Sequence, residues 1–255
     1  MTRVIKVGGR PQLDPSLAPT LAAAHRASPG SLVVVHGGGD EVSTLQRLHG
    51  VVAEFKGGRR VTSALDLEII RMALSGSANK RLVSALVSAS IPAIGLSGED
   101  AALLTAAPLD PEQYGYVGVP AEVNAGLLLH LLAGGYLPVV SPVSRSTNPS
   151  CGATLNVNGD DAAAAIAVAI EADELLLVSD VAGVLNDGAP LSTLTPDDAR
   201  RLIDDGTALG GMAAKLQAAI AAMDGGVERV RISDIAAIEQ LDRGTVLTRV
   251  GSVFA

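Results

Sequence analysis

The chain has 255 residues, 48% of them hydrophobic and 2% aromatic, and carries 19 Lys and Arg against 27 Asp and Glu for a formal net charge of -8. That length and apolar content suit one large domain or two lobes sharing a sheet, and they exclude disorder. The acidic balance excludes a general electrostatic attraction to nucleic acid or anionic membrane, and the scarcity of aromatic rings removes the stacking platforms that single-strand binders use.

Met1 leads into TRVIKVGG, not into an apolar secretory segment, so a cytoplasmic location is expected. The single cysteine, Cys151, has no internal disulfide partner. The first predicted strand, RVIKV, runs into Lys6, Gly8 and Gly9, and the second, LVVVH, ends in His36 followed by three glycines. Parallel strands bring their C-terminal ends to one side, so two glycine-rich turns and one lysine should converge there. Glycine lets backbone N–H groups face an anion, and the helix starts that follow add their positive dipole ends. Neither motif is specific alone, because Gly-Gly after a strand is also an ordinary turn.

Residues 51–62, VVAEFKGGRRVT, read as a hairpin turning at Gly57 and Gly58. Arg59 and Arg60 stand at its foot, where a guanidinium can take a carboxylate through two parallel hydrogen bonds. The plainer alternative is a solvated surface arginine. A long helix is expected over 65–90, then a strand at IPAIGL. Residues 103–120 and 144–157 lack helical period and are expected as excursions above the C-terminal strand edge. Residues 123–144 contain no Asp, Glu, Lys or Arg, enough by count to span a bilayer. The Gly pair, aromatic and proline inside them instead parse as a helix, its C-cap and the strand YLPVVS.

Downstream, LNVNGDDAA sets Asn156, Asn158 and Asp160 at alternate positions before an apolar helix, where Asn158 or Asp160 can simply be the N-cap. The strand ELLLVS leads into SDVAGV, a turn suited to a phosphate. LGGMAAKLQAA puts Lys215 in the first turns of a helix among alanines and a leucine, and VERVRI is the last predicted strand. Strands alternating with alanine-rich helices imply a three-layer αβα sandwich around a mainly parallel sheet. A seam near 158–174 divides it into lobes 1–157 and 158–255.

The serial order of KVGG, HGGG, RRVT, SGSANKRLV, IGLSGED, YVGVPAEVN, GGYLPVVSPV, NVNGDDAA, LVSDVAGV and GGMAAKL over nearly the whole chain resembles the amino acid kinase family, most closely its branch that phosphorylates N-acetylglutamate. The resemblance implies ATP and Mg2+, the metal held mainly through the nucleotide phosphates, and in-line transfer of the γ-phosphoryl to a side-chain carboxylate, an early step of arginine biosynthesis. It matches Lys6 and Lys215 to the two lysines flanking the phosphoryl group, and Asp160 to the carboxylate that organises them. Gly8 and Gly9, with Gly38 and Gly39, would offer N–H groups to phosphoryl and substrate oxygens. Arg60 would clamp the substrate α-carboxylate and Asn156 would hold the same amino acid. Ser179, Asp180, Gly183 and Leu185 fall where the family contacts nucleotide, as do Thr207 to Leu209.

A carboxylate acceptor is already deprotonated at neutral pH, so His36 reads as structural, not as a base. Three departures bear on substrate more than on chemistry: Ser63 stands where relatives often have an acidic residue, Gly159 where alanine is common, and GEDAA lacks a second glycine. Two alternatives stand beside this reading. One is a kinase for aminoadipate or glutamate borne on an acidic carrier protein, which the net charge disfavours; the other is a non-catalytic sensor on the same fold. The expected assembly is a homodimer joined through the 65–90 helix. It should be insensitive to arginine, since a strand starting near Arg3 leaves no room for the N-terminal helix of arginine-inhibited relatives.

Overall fold

A computed structural model describes residues 1–148, 150, 153–186 and 188–249; Cys151 lies outside the described residues. The first half comprises β1 (Arg3–Val7), α1 (Leu17–Ala27), β2 (Leu32–His36), α2 (Gly39–Leu48), β3 (Phe55–Lys56), β4 (Arg59–Arg60), α3 (Ala64–Ile70), α4 (Asn79–Ser88) and β5 (Ala93–Gly98). Then come β6 (Leu104–Pro108), α5 (Pro111–Tyr114), β7 (Val117–Val123), α6 (Ala125–Ala133), β8 (Leu137–Ser146), β9 (Thr154–Val157) and α7 (Gly159–Ala169). The rest is β10 (Glu174–Val178), β11 (Leu185–Asn186), β12 (Ala189–Pro190), β13 (Thr193–Leu194), α8 (Pro196–Asp204), α9 (Gly210–Asp224), β14 (Arg229–Ser233) and β15 (Thr245–Leu247).

Eleven strands form one continuous sheet in the order β13, β15, β14, β10, β1, β2, β8, β6, β7, β9, with β5 beside β8. The central pairings are parallel, and antiparallel pairs occur only at β14–β15, β6–β7 and β8–β9 among the described pairings within it. Such a sheet needs cover on both faces, and the alternation of side chains decides what covers each. Val4, Val33, Val35, Leu175 and Leu177 pack with α6, α7 and α9. Ile5, Val7, Val34, Leu176 and Val178 pack with α1, α4 and the 3-10 turn Ile235–Ile238. The three-layer, mainly parallel architecture expected from the sequence is the one observed.

The six strands expected from apolar runs all form, and the 51–62 segment contains the hairpin β3–β4. The 65–90 helix differs: α3 and α4 are separated by a π-helical stretch, Arg71–Ala78. Its RMALSGSA sequence opens on good helix formers but carries the weak run Ser75-Gly76-Ser77, and it contacts the sheet, with Ser75 Oγ 2.8 Å from Ser141 Oγ and the following Asn79 Nδ2 donating to the Val139 carbonyl at 2.9 Å. The 103–120 and 144–157 segments are not merely excursions. They supply β6, the start of β7, β9 and the last three residues of β8, which leaves β2 behind to pair with β6 and β9.

Candidate active site

Lys6 occupies the same face of β1 as Val4, the face covered by α7 and α9, so its side chain meets Asp160 from α7 and Lys215 from α9. Lys6 Nζ lies 2.8 Å from Asp160 Oδ1, and Lys215 Nζ lies 3.5 Å from Asp160 Oδ2. All three side chains are nearly covered. Asn158 is the N-cap of α7, its side chain accepting from the Asp160 N–H at 2.7 Å, which leaves the Asp160 carboxylate for the lysines. Gly159 permits the approach: a Cβ there would stand 3.3 Å from Lys6 Cε. Burial drives the Asp160 carboxyl up, yet Lys6 and Lys215 outweigh it and hold it below the usual carboxylate range. Burial, and then Lys6, push the Lys215 ammonium below the ordinary lysine value. One carboxylate between two ammonium groups leaves an uncompensated positive charge in a water-poor place, suited to an anion.

The two glycine turns do converge, for a Cβ on Gly9 would sit 3.3 Å from Gly39 N. Gly8 donates its N–H to the Val178 carbonyl at 3.2 Å and Gly37 donates to the Val7 carbonyl at 2.9 Å. The N–H groups of Gly9, Gly38 and Gly39 have no such acceptor among the described residues, and Gly38 and Gly39 open α2. Gly38 has φ +153° and Leu74 directly beneath it, so a side chain there is both strained and obstructed.

A pocket of about 220 Å3 opens on Lys6, Gly9 and Gly37 to Gly39 and is bounded by Arg59, Arg60 and Asn156. Arg60 reaches across from β4 to α2. It donates to Ser43 Oγ at 2.9 Å, to the Gly39 carbonyl at 3.2 Å and to Gln46 Oε1, and Gln46 in turn donates to Asp66. The Phe55 ring lies 4.6 Å from its guanidinium carbon. Burial acts to raise the Asp66 carboxyl, but hydrogen bonds from Ser63, then from Gln46, and the Arg60 charge leave it below its usual value. Asn156 Nδ2 donates to Thr62 Oγ1 at 3.0 Å. The sequence reading missed Ser43, Gln46 and Asp66; Gly39, Ser43 and Gln46 recur at helical spacing, a signal hidden by ordinary surface residue types.

A second pocket of about 230 Å3 holds Gly8, Gly9, Arg10, Gly39, Ser179, Asp180 and Lys215. Arg10, also missed although it directly follows KVGG, donates to Asp180 Oδ2 at 3.0 Å. Four of the expected nucleotide residues do not line this pocket. Gly183 packs on Thr245, whose Oγ1 would be 2.7 Å from a Cβ, so its glycine has a packing reason. Leu185 and Leu209 are exposed, and Thr207 donates its N–H to Asp205 at 2.9 Å. His36, fully buried, hydrogen-bonds the Gly37 carbonyl through Nδ1 at 2.8 Å and faces Asn79 Nδ2 through Nε2 at 3.1 Å. Burial brings its pKa down to about 4, so it is a neutral pin between strand and helix.

The two pockets share Gly9 and Gly39, with Lys6 opening on one, Lys215 on the other and Asp160 joining the lysines. A family model, the amino acid kinase family, matches residues 1–234. The chain belongs to the amino acid kinase family. It is 43% identical over 247 residues to the acetylglutamate kinase of Chloroflexus aurantiacus, covering 96% of each chain. It is 41% identical to that of Geobacillus stearothermophilus, covering 91% of this chain and 89% of the relative. Among solved structures, a Streptococcus mutans UA159 protein superposes with a TM-score of 0.86 at 31% identity, covering 97% of this chain and 98% of that one. Giardia lamblia carbamate kinase, at 15% identity and TM-score 0.72 over 97% of this chain and 98% of its own, shares the family's fold.

Proposed function

We propose that the protein is an acetylglutamate kinase, transferring the γ-phosphoryl of ATP to the side-chain carboxylate of N-acetyl-L-glutamate and so forming an acyl phosphate. The observation that carries this reading is the meeting of two pockets at Gly9 and Gly39, with a lysine on each side and one carboxylate between them. The pocket with Arg60 and Asn156 takes the acidic amino acid. The pocket with Ser179 and Asp180 takes the nucleotide phosphates.

Phosphoryl transfer asks a protein mainly for alignment and charge cancellation. A carboxylate attacking an anionic phosphate is repelled by it, and Lys6 on the acceptor side and Lys215 on the donor side offset that repulsion. Asp160 keeps both ammonium groups aimed at the shared ridge, where the N–H groups of Gly9, Gly38 and Gly39 receive the oxygens in flight. Magnesium, entering on the nucleotide phosphates, would face Asp180, a hard oxygen donor exposed in that pocket, and would cancel further charge. The roles of Gly183, Leu185, Thr207 and Leu209 extend along the nucleotide beyond the phosphates.

The same reading divides the sheet into an acceptor half, 1–157, and a nucleotide half, 158–255, in a cytoplasmic enzyme. No helix among the described residues is long and apolar enough to cross a membrane. It also carries a homodimer through the α3–α4 face, where Leu65, Met72 and Val87 each leave about half of their surface exposed. The test is incubation with free N-acetylglutamate, ATP and Mg2+, trapping the acyl phosphate with hydroxylamine. Hydroxamate with the free amino acid supports the reading; its absence, with ATP hydrolysis or none, refutes it.

A further inference from the structure

The β3–β4 hairpin has two residues in each strand and leaves Phe55 and Lys56 exposed, so its own ladder holds it weakly. Arg60 ties one side of it to α2, and two further contacts fasten its other side. Arg59 Nη1 lies 2.7 Å from Asp161 Oδ2, with the side chains 22% and 17% exposed. The turn residue Gly58 lies close against Gly210 at the start of α9, a Cβ there reaching 3.5 Å from the Gly210 carbonyl oxygen. Since side chains alternate along a strand, Arg60 turns to α2 and Arg59 turns to α7. Asp161 directly follows Asp160, so the ion pair ties the acceptor hairpin to the helical turn that gathers both lysines. Arg59 also borders a neighbouring cavity of about 580 Å3 beside α7 and α9, which Asp161 lines as well, so the pair stands in the wall between that cavity and the acceptor pocket.

We propose that the Arg59–Asp161 pair is a latch that holds the hairpin closed over the acceptor pocket, making both positioning residues that set Arg60 against the acceptor and keep water from the phosphoryl group. The proposal rests on the phosphoryl-transfer reading above. With the latch broken, water takes the place of the carboxylate. An oxygen–phosphorus bond then forms to water, the bond to the ADP oxygen breaks, and inorganic phosphate leaves with a released proton.

Arg59→Leu, Asp161→Asn, the double variant and the reversed pair Arg59→Asp with Asp161→Arg are compared for acceptor KM, ATP KM and ADP released per hydroxamate trapped. Each single variant should raise acceptor KM by about tenfold, about 1.4 kcal/mol, as loss of a close, partly buried ion pair does, and raise the ADP-to-hydroxamate ratio, with ATP KM unchanged. The double variant should be no worse than either single one, and the reversed pair should recover part of the loss. An elevated KM in Arg59→Leu alone, with Asp161→Asn like wild type, would mean that Arg59 touches the acceptor directly and would overturn the latch. Additive losses, or wild-type behaviour throughout, would overturn it too. If a single variant fails to fold, Arg59→Lys and Asp161→Glu, which keep the charges and alter the reach, carry the same comparison. Failure of the latch leaves hydroxamate formation by the wild type intact, whereas failure of the underlying reading abolishes it.

Discussion

Replacing Lys6 by Met removes a charge while nearly keeping shape, so it separates electrostatics from packing. With an effective dielectric constant of about 20, the Lys6–Asp160 contact at 2.8 Å represents about 6 kcal/mol of gross attraction, and Lys215–Asp160 at 3.5 Å about 5 kcal/mol. Asp160 therefore keeps nearly half of its gross attraction in the variant. The methionine stem lies on the apolar path that the lysine stem now occupies, so no large cavity opens. The fold should survive with a melting temperature lowered by a few degrees. On the proposed mechanism catalysis has no such reserve, because the lysine that lines the acceptor pocket is lost. Loss of one preorganised charge at a transition state costs about 3–4 kcal/mol, or 10²–10³ in kcat, with acceptor and nucleotide KM changed little. Hydroxamate formation followed over time, beside a thermal melt, measures both quantities. A variant that keeps kcat within tenfold of wild type would show that Lys6 is only a buried counter-ion for Asp160.

Arg60→Lys should raise acceptor KM by roughly 10–100-fold with a smaller change in kcat, since an ammonium cannot keep the fork that meets Ser43, Gln46 and Gly39 and still face a carboxylate; initial rates against acceptor concentration decide it. Glu174→Gln should cost about 3–5 kcal/mol, roughly 10 °C in melting temperature, because fully buried Glu174 lies 2.6 Å from Arg231 and 2.7 Å from Arg3. Burial alone would raise its pKa, but Arg231 and Arg3 lower it, so its contribution is present above the unfolded value near 4.5 and is lost as pH falls through the folded one. Chemical denaturation of the variant should thus converge on wild type only in acid. His36 works over a higher window: neutral in the fold with pKa about 4 against 6.5 unfolded, it binds a proton more readily when unfolded, and stability falls as pH drops from 6.5 toward 4, by about 3 kcal/mol. Denaturation midpoints of His36→Gln measured across that window should lack this component of the slope.

What could be read from residue order followed from local physics. RVIKV, LVVVH and ELLLV are strands because their branched apolar side chains suit burial on both faces, and the glycine turns after the first two follow as strand ends. β6, β7 and β9 were hidden because segments as short as LTAAP and TLNV carry little pattern of their own and are held as strands by pairing, β6 with β7 and β8, and β7 with β9. The π-helical break at Arg71–Ala78 was hidden likewise, since its cause lies in β8, where Ser75 and Asn79 find their partners.

At the site, the sequence alone determined the types of group present: two lysines in apolar surroundings, one aspartate at a helix start, glycines after two parallel strands. These belong to single segments, and a segment's neighbours limit what it can be. Only the tertiary structure decided which groups meet. Face alternation on β1 aims Lys6 at the side covered by α7 and α9, and the approach of Gly9 to Gly39 turns two loops into one ridge between two pockets. The pairing of Arg59 with Asp161 across 102 positions in the chain was equally beyond the sequence, because charge carries no address until packing sets the distance.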